Sequence, residues 1–198
     1  MPSIREVTAM FVIRQEKAGD VPARETLLDR CLGPQRFMKS SERLREGRLP
    51  ARGLALTAES ASGGLVGTVR LWNVAVGNGC DALLLGPPAV DPALQGKGLG
   101  ARMMQTAILR ASEAGHEAIL LVGDAPYYAR FGFDAAMTRD LSMPGPVERE
   151  RFLGLELRAG SLDGARGIVM AAGTVRRPVL HEYLAEDHIC PGAYTVAA

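Results

Sequence analysis

A run of glycines in the middle of the chain has the composition of a phosphate-binding loop. Residues 95–101 read QGKGLGA and join an apolar run to a helix-like stretch. Glycines at a helix start let successive backbone N–H groups turn toward one concavity, where the helix dipole adds partial positive charge. Lys97 stands between two of these glycines and can add a full charge. The segment therefore predicts a site for a phosphate or pyrophosphate group.

Two familiar phosphate loops fit this segment poorly. A Walker A loop requires GxxxxGK[ST], but Lys97 is followed by Gly98, and Asp91 stands where the first glycine belongs. The dinucleotide-binding fingerprint is met only in a relaxed form, by Gly96, Gly98 and Ala101, and the loop follows the fourth predicted strand instead of the first. By spacing alone, a glycine-rich connection without a ligand remains the alternative.

A pair of tyrosines, Tyr127 and Tyr128, precedes a Gly-Phe pair at residues 132–133. A phenol has a reference pKa of about 10 and can give its proton to a leaving group of similar basicity. Adjacent residues on a helix project about 100° apart, so one ring can face a cleft while the other packs. The spacing favours Tyr128 as the ring in the cleft. The alternative is that both rings pack, with their hydroxyls bonded nearby.

The sequence around these residues predicts the elements that position them. Alternation over residues 11–16 predicts a strand, and Asp20 begins a helix that ends near Leu32. Residues 54–59 and 65–76 flank a Ser/Gly turn and predict a hairpin. The Pro/Gly-punctuated residues 33–52 predict a loop on the substrate side.

Two nearly continuous apolar runs, residues 81–90 and 118–123, predict strands covered on both faces. The helix between them completes a right-handed βαβ unit. Pro87 and Pro88 interrupt the first run and cannot donate to a neighbouring strand, which indicates an edge or a bulge. A strand that splays from its neighbour there leaves a gap that a ligand with amides can fill. Two closing strands are predicted in the runs FLGLEL and RGIVMA.

Composition limits the classes of partner. The chain has 198 residues, 47% of them hydrophobic, with 23 Lys+Arg against 22 Asp+Glu and a net charge of +1. No global field attracts nucleic acid or an anionic membrane, and the start has neither a signal-peptide pattern nor a membrane-length apolar run. We therefore expect a cytoplasmic protein with one domain over residues 1–173 and a C-terminal extension over residues 174–198.

Metal binding is not indicated. Cys31, Cys80 and Cys190 are widely spaced without a CxxC pair. The tail superficially resembles a metal cluster, but Ala185 stands where HExxH requires its second histidine, so a solvated charged helix is the better interpretation. Its candidate ligands are His181, Glu182, Glu186, Asp187, His188 and Cys190.

The spacing Gln95-x-x-Gly98-x-Gly100 after a strand, followed by a tyrosine ahead of a Gly-Phe pair, resembles the GNAT superfamily of acyl-CoA-dependent N-acetyltransferases. The amino-acid sequence of the strand and loop looks most like a bacterial subgroup typified by uncharacterised acetyltransferases. The resemblance covers residues 11–171 and implies an α/β fold with a mixed central sheet of about six to seven strands. Its N-terminal part would be antiparallel, its fourth and fifth strands would form a splayed parallel pair, and helices would flank it.

The resemblance also implies roles for residues. Acetyl-CoA would be the co-substrate, and an amine, on a small molecule or a protein, would attack the thioester directly without an acyl-enzyme. Tyr128 would be the catalytic acid, and the family also allows a homodimer. The residues implied to bind the coenzyme are Ala89, Val90, Gln95, Gly96, Lys97, Gly98, Leu99, Gly100 and Ala101, the first two pairing with the pantetheine arm.

Several positions depart from the family pattern. Pro88 offers no N–H where many relatives point one at the thioester carbonyl, and Leu84 stands where some place a catalytic glutamate. Glu59, Asp81 or a water relay are the remaining candidates for the base, and Asp124 occupies the turn where an asparagine is common. These departures keep a second hypothesis open, a GNAT-fold module that binds acyl-CoA as a sensor or regulatory partner without turnover.

Overall fold

A mixed sheet organises the part of the chain that the computed structural model describes, residues 11–176. Within that range eight strands join the sheet and two short ones form a separate pair. The eight strands are β1 (Phe11–Gln15), β2 (Ala55–Ser60), β3 (Leu65–Val76), β4 (Cys80–Leu85), β5 (Ala89–Val90), β6 (Ala118–Val122), β8 (Phe152–Glu156) and β10 (Met170–Ala171). The separate pair is β7 (Leu141–Ser142) with β9 (Gly167–Ile168).

The sheet runs in the order β1-β2-β3-β4-β6-β8, with β5 and β10 both paired to the long strand β3. All pairs in it are antiparallel except β4 with β6, which is parallel. The strand count exceeds the six or seven predicted because the apolar run 81–90 is divided into β4 and β5. The run RGIVMA is likewise not one strand, since its halves β9 and β10 join different sheets.

The break between β4 and β5 is a β-bulge. Leu85 pairs with Leu71 and Ala89 pairs with Thr68, so three residues, Gly86–Pro88, span the stretch that two residues span on β3. The indole N–H of the buried Trp72 donates to the Gly86 carbonyl at 2.7 Å and fixes the position of the bulge. The prediction that Pro87 and Pro88 mark a bulge is confirmed.

The bulge separates two strands that begin side by side. β4 and β6 pair only at Leu83 with Ile119 and at Leu84 with Leu120. Beyond that point β5 continues along β3, while β6 stays paired with β8 through Val122. The result is a V-shaped opening between β5 and the end of β6.

Helices cover both faces of the sheet. The helix α1 (Val21–Leu32) packs Leu27 and Leu28 against Ala89, while α2 (Leu99–Glu113) buries one apolar face on the opposite side. A short third helix, α3 (Ala125–Ala129), follows β6 directly. The buried residues of α2 are Leu99, Met103, Met104, Ala107 and Ala111.

The helix α1 begins directly after Asp20 and ends at Leu32, as the sequence predicts, but the Asp20 side chain does not cap it. Its carboxylate accepts two hydrogen bonds from Arg14, at 2.6 and 2.9 Å, and one from the Lys17 amide at 2.7 Å. The Asp20 side chain therefore ties β1 to the helix start and makes no cap hydrogen bond to the helix.

The tail predictions fall outside the described range, since residues 177–198, including the candidate metal cluster, lie beyond it. Within residues 11–176, no group of three His, Cys, Asp or Glu side chains is placed to hold a metal ion. In the same range no helix is long and apolar enough to cross a membrane.

Candidate active site

The glycine loop presents free backbone donors at the start of α2. Gly98 precedes the helix with φ of +82°, a left-handed conformation that costs other residues about 1–2 kcal/mol. The first helical hydrogen bond runs from the Arg102 amide to the Gly98 carbonyl at 3.1 Å. The amides of Leu99, Gly100 and Ala101 precede that bond and have no partner within the helix. These three amides are available as hydrogen-bond donors at the place where the sequence predicts a pyrophosphate site.

A cavity of about 480 Å³ opens in front of these amides. Its wall combines the loop with Val90 at the end of β5 and with Tyr127 from α3. Among the residues predicted to bind the coenzyme, those that line it are Val90, Gln95, Gly96, Gly98, Leu99, Gly100 and Ala101.

The sequence predicts that Lys97 can add positive charge at this cavity, but a different cation lies there. Lys97 does not line the cavity in the described structure, and its amide turns inward to the Leu94 carbonyl at 3.4 Å. The cation on the wall is Arg130, whose guanidinium carbon lies 4.0 Å from the centre of the Tyr127 ring. Sequence reasoning missed Arg130, although its position three residues after Tyr127 places both on one helical face.

A narrower cavity of about 170 Å³ continues from the first along the broken strand. Pro88, Ala89 and Val90 form one side of it, and Tyr127 and Tyr128 line it too. Ala89, expected to pair with a pantetheine arm, lines this second cavity and not the first.

Both tyrosines line the cleft. Tyr128 faces it as the spacing favours, but Tyr127 does not pack away from it. The Tyr127 hydroxyl lies beside Gly100, 3.3 Å from where a Cβ on that glycine would be. The Tyr128 ring lies against Gly123, where a Cβ would be only 2.2 Å from a ring carbon, and meets Phe133 edge-on. Burial raises the pKa of Tyr128 to about 12, so this phenol stays protonated at neutral pH.

A third cavity, of about 390 Å³, lies beyond Pro88 on the other side of the tyrosines. We call it the acceptor cavity. It is lined by β4, the bulge and the end of β6, together with charged side chains from several segments. Those charged residues are Arg36, Lys39, Arg45, Asp124 and Arg151, the first three from the predicted substrate-side loop.

The candidate bases named from the sequence do not lie in this cleft. Glu59 is bound to Arg14 at 2.7 Å on the β1–β2 edge, and Asp81 is exposed at the start of β4. Among the described residues lining the three cavities, Asp124 is the carboxylate. It accepts a hydrogen bond from the Tyr127 amide at 3.1 Å and thereby caps α3.

Comparison with known proteins gives consistent matches. Residues 51–135 match the family described as "Acetyltransferase (GNAT) domain". The uncharacterized N-acetyltransferase YhbS of Escherichia coli K12 is 30% identical over 160 residues, covering 80% of this chain and 95% of the relative.

Two solved structures extend the match to the fold. The crystal structure of YhbS from Escherichia coli with CoA has a TM-score of 0.72 at 28% identity, covering 96% of this chain and 97% of that one. A GNAT-family acetyltransferase from Brucella melitensis with acetyl-CoA has a TM-score of 0.62 at 26% identity, covering 83% and 97%.

The raised pKa of Tyr128 gives a direct spectroscopic expectation. The difference in phenolate absorbance between the native protein and Tyr128→Phe should show no ionisation at position 128 below about pH 11, because burial raises the pKa of this phenol. An unperturbed tyrosine would already titrate near pH 10. Because the folded pKa is the higher one, any stability linked to this phenol is lost as pH rises from about 10 to 12. Circular dichroism must show that both proteins remain folded. Ionisation of this phenol near pH 10 in the folded protein would contradict its burial.

Proposed function

This chain belongs to the GNAT family of N-acetyltransferases, the family its motifs predict, and we propose that it transfers an acetyl group from acetyl-CoA to an amine. One observation carries the proposal. The free amides of α2, the broken strand, the two tyrosines and the acceptor cavity adjoin one another along a single path. A donor and an acceptor bound at its two ends would meet at the tyrosines.

The residues of the first two cavities suit acetyl-CoA. The amides at the start of α2 and the Arg130 guanidinium provide donors for a pyrophosphate. The backbone of Ala89 and Val90 borders the opening that the bulge leaves, where pantetheine amides can pair as a further strand would. Bound acetyl-CoA supplies an acetyl group activated as a thioester.

Tyr128 is the group we assign to protonation of the departing thiolate. Its ring packs against Gly123 and Phe133 and lines both the narrower cavity of about 170 Å³ and the acceptor cavity. The phenol is protonated at neutral pH, and its raised pKa makes it a weaker acid than an exposed tyrosine, so the proton passes only to a strongly basic group such as the departing thiolate. Pro88 has no N–H to donate, so the hydroxyls of Tyr127 and Tyr128 are the side-chain donors we assign near the carbonyl.

Asp124 is the group we assign to the incoming ammonium. Its carboxylate lines the acceptor cavity at the start of α3 and is fixed there by the Tyr127 amide. A carboxylate in this place favours an amine over a neutral nucleophile and can accept its proton directly or through water.

Replacing Tyr128 by phenylalanine tests the acid. We expect Tyr128→Phe to lower kcat by about 10²- to 10⁴-fold, because proton donation is lost while packing is kept. Affinity for acetyl-CoA should change little, since the pyrophosphate cavity is untouched. Amine-dependent loss of the thioester gives kcat, and calorimetry gives the dissociation constant.

Tyr127→Phe is the matched control, because it removes the neighbouring hydroxyl. It should keep more kcat than Tyr128→Phe. Equal losses in the two variants would contradict the assignment to Tyr128. Binding of acetyl-CoA without turnover of any amine by the native protein would instead favour a sensor or regulatory module.

Replacing Gly98 by aspartate tests the pyrophosphate cradle. A Cβ at Gly98 meets no atom within 4 Å, so the added carboxylate would point into open space beside the free amides. It should weaken acetyl-CoA binding at least about tenfold through repulsion of the phosphates. Gly63→Asp is the matched control, since Gly63 has a similar φ of +83° and open surroundings in the β2–β3 turn. Unchanged binding in Gly98→Asp would contradict the cradle.

A further inference from the structure

The acceptor cavity carries more positive than negative charge. Four cationic side chains line it, against the single lining carboxylate in the described structure, Asp124. The four are Arg36, Lys39, Arg45 and Arg151. An amine substrate is itself cationic before it loses a proton, so a cavity with this charge needs an explanation from the rest of the substrate.

Two of the four cations already have carboxylate partners. Arg36 bonds to Asp29 at 2.8 Å and also to Glu25, and Arg45 bonds to Glu42 at 2.6 Å. These pairs anchor the substrate-side loop to α1 and to itself.

The other two cations are free of such partners. Neither Lys39 nor Arg151 forms an ion pair with any carboxylate in residues 11–176. Both side chains are exposed. Their charges are therefore available to a ligand.

Arg45, which lines the same cavity as Lys39 and Arg151, also favours binding of an anion there. Arg45 is only 6% exposed. Burial lowers its pKa, Glu42 opposes that effect, and the charges of Arg36 and Arg70 lower the pKa further. Arg45 is thus repelled by Arg36, which shares the wall of this cavity, and by Arg70, which lies outside it. A ligand anion nearby reduces that repulsion.

Lys39 and Arg151 stand on two loops that are fastened together. The Ser40 hydroxyl donates to the Pro146 carbonyl at 2.8 Å, and Arg43 donates to the Pro144 carbonyl at 2.6 Å. Lys39 and Arg151 both line the acceptor cavity and an adjoining outer cavity of about 260 Å³, so they mark the junction of the two.

This junction lies close to the reacting end of the cleft. Arg151 sits near enough to Tyr128 that its charge acts to lower the pKa of that phenol, against the larger effect of burial. Glu148 lines the outer cavity but not the acceptor cavity. The negative group of a ligand is therefore favoured on the inner side of the junction.

We propose that the acceptor is a small amine that also carries a carboxylate or phosphate group, which Lys39 and Arg151 bind. The ammonium then points toward Asp124 and the two tyrosines. An acceptor cavity of about 390 Å³ has the size typical of small-molecule sites. This substrate class rests on the proposed acetyl transfer and deepens it.

Matched amines test the substrate class. The panel offers each amino acid beside its amide and its decarboxylated amine, and aminopropylphosphonate beside propylamine, with acetyl-CoA at saturation. Loss of the thioester at low amine concentration reports kcat/KM. We expect the best acidic amine to exceed its counterparts without the acidic group at least about tenfold, as charged hydrogen bonds allow. Equal or faster acetylation of the counterparts without the acidic group would overturn the proposal, as would preferred acetylation of a lysine in a peptide.

Variants test the residues. Lys39→Met and Arg151→Gln should each lower kcat/KM for the acidic amine about tenfold, chiefly through KM, and change kcat/KM for its amide less than about twofold. Arg139→Gln is the matched control, at an exposed arginine that lines none of these cavities. Equal losses for the acid and the amide would show a structural effect and overturn the assignment.

Binding separates failure of this inference from failure of the proposed function. Saturation-transfer NMR with aminopropylphosphonate and the CoA-loaded protein should give a signal that the double variant Lys39→Met, Arg151→Gln loses. That signal does not depend on turnover. If it is present but no amine is acetylated, the anion site stands and the acetyl-transfer proposal fails. If no signal appears with the native protein and no acidic amine is preferred, the anion site is wrong.

Discussion

The interruption of one strand at Gly86–Pro88 is the constraint on which the rest of the structure depends. Two successive prolines cannot donate ladder hydrogen bonds, so β4 and β6 separate after two residue pairs. The strand is not lost, because the Trp72 indole and the pairing of β5 with β3 hold it in place. A fixed opening thus forms inside a well-packed sheet, with strand edges available to a ligand.

The elements on either side of that opening place the chemistry. β5 leads into the glycine loop, which begins α2 with unpaired amides facing the cavity, and β6 leads into α3, which carries both tyrosines. The glycine loop and Tyr128, the group we propose as the acid, therefore lie at the same gap. Burial of Tyr128 keeps its proton bound, and four cationic side chains line the acceptor cavity, which is the basis of the substrate class we propose.

Local patterns made the loop, the bulge and the tyrosine helix predictable, because each rests on neighbouring residues: glycines at a helix start, prolines inside an apolar run, and Tyr128 ahead of Phe133. The acceptor cavity was not predictable in this way. Lys39 and Arg151 are over a hundred residues apart and meet only through the packing of two loops. Lys97 and Glu59 look functional in the sequence, but Lys97 does not line the cavity beside its loop, and Glu59 is paired with Arg14 on the β1–β2 edge.

The most direct test of the central claim is calorimetric titration of the protein with acetyl-CoA and, separately, with NADH, with release of free thiol followed in the same acetyl-CoA samples as amines are added. Both ligands carry a pyrophosphate, but only acetyl-CoA has an arm that can pair along the broken strand. The account predicts saturable binding of acetyl-CoA, much weaker binding of NADH, and amine-dependent thiol release. Absence of acetyl-CoA binding, or equal binding of NADH, would contradict it.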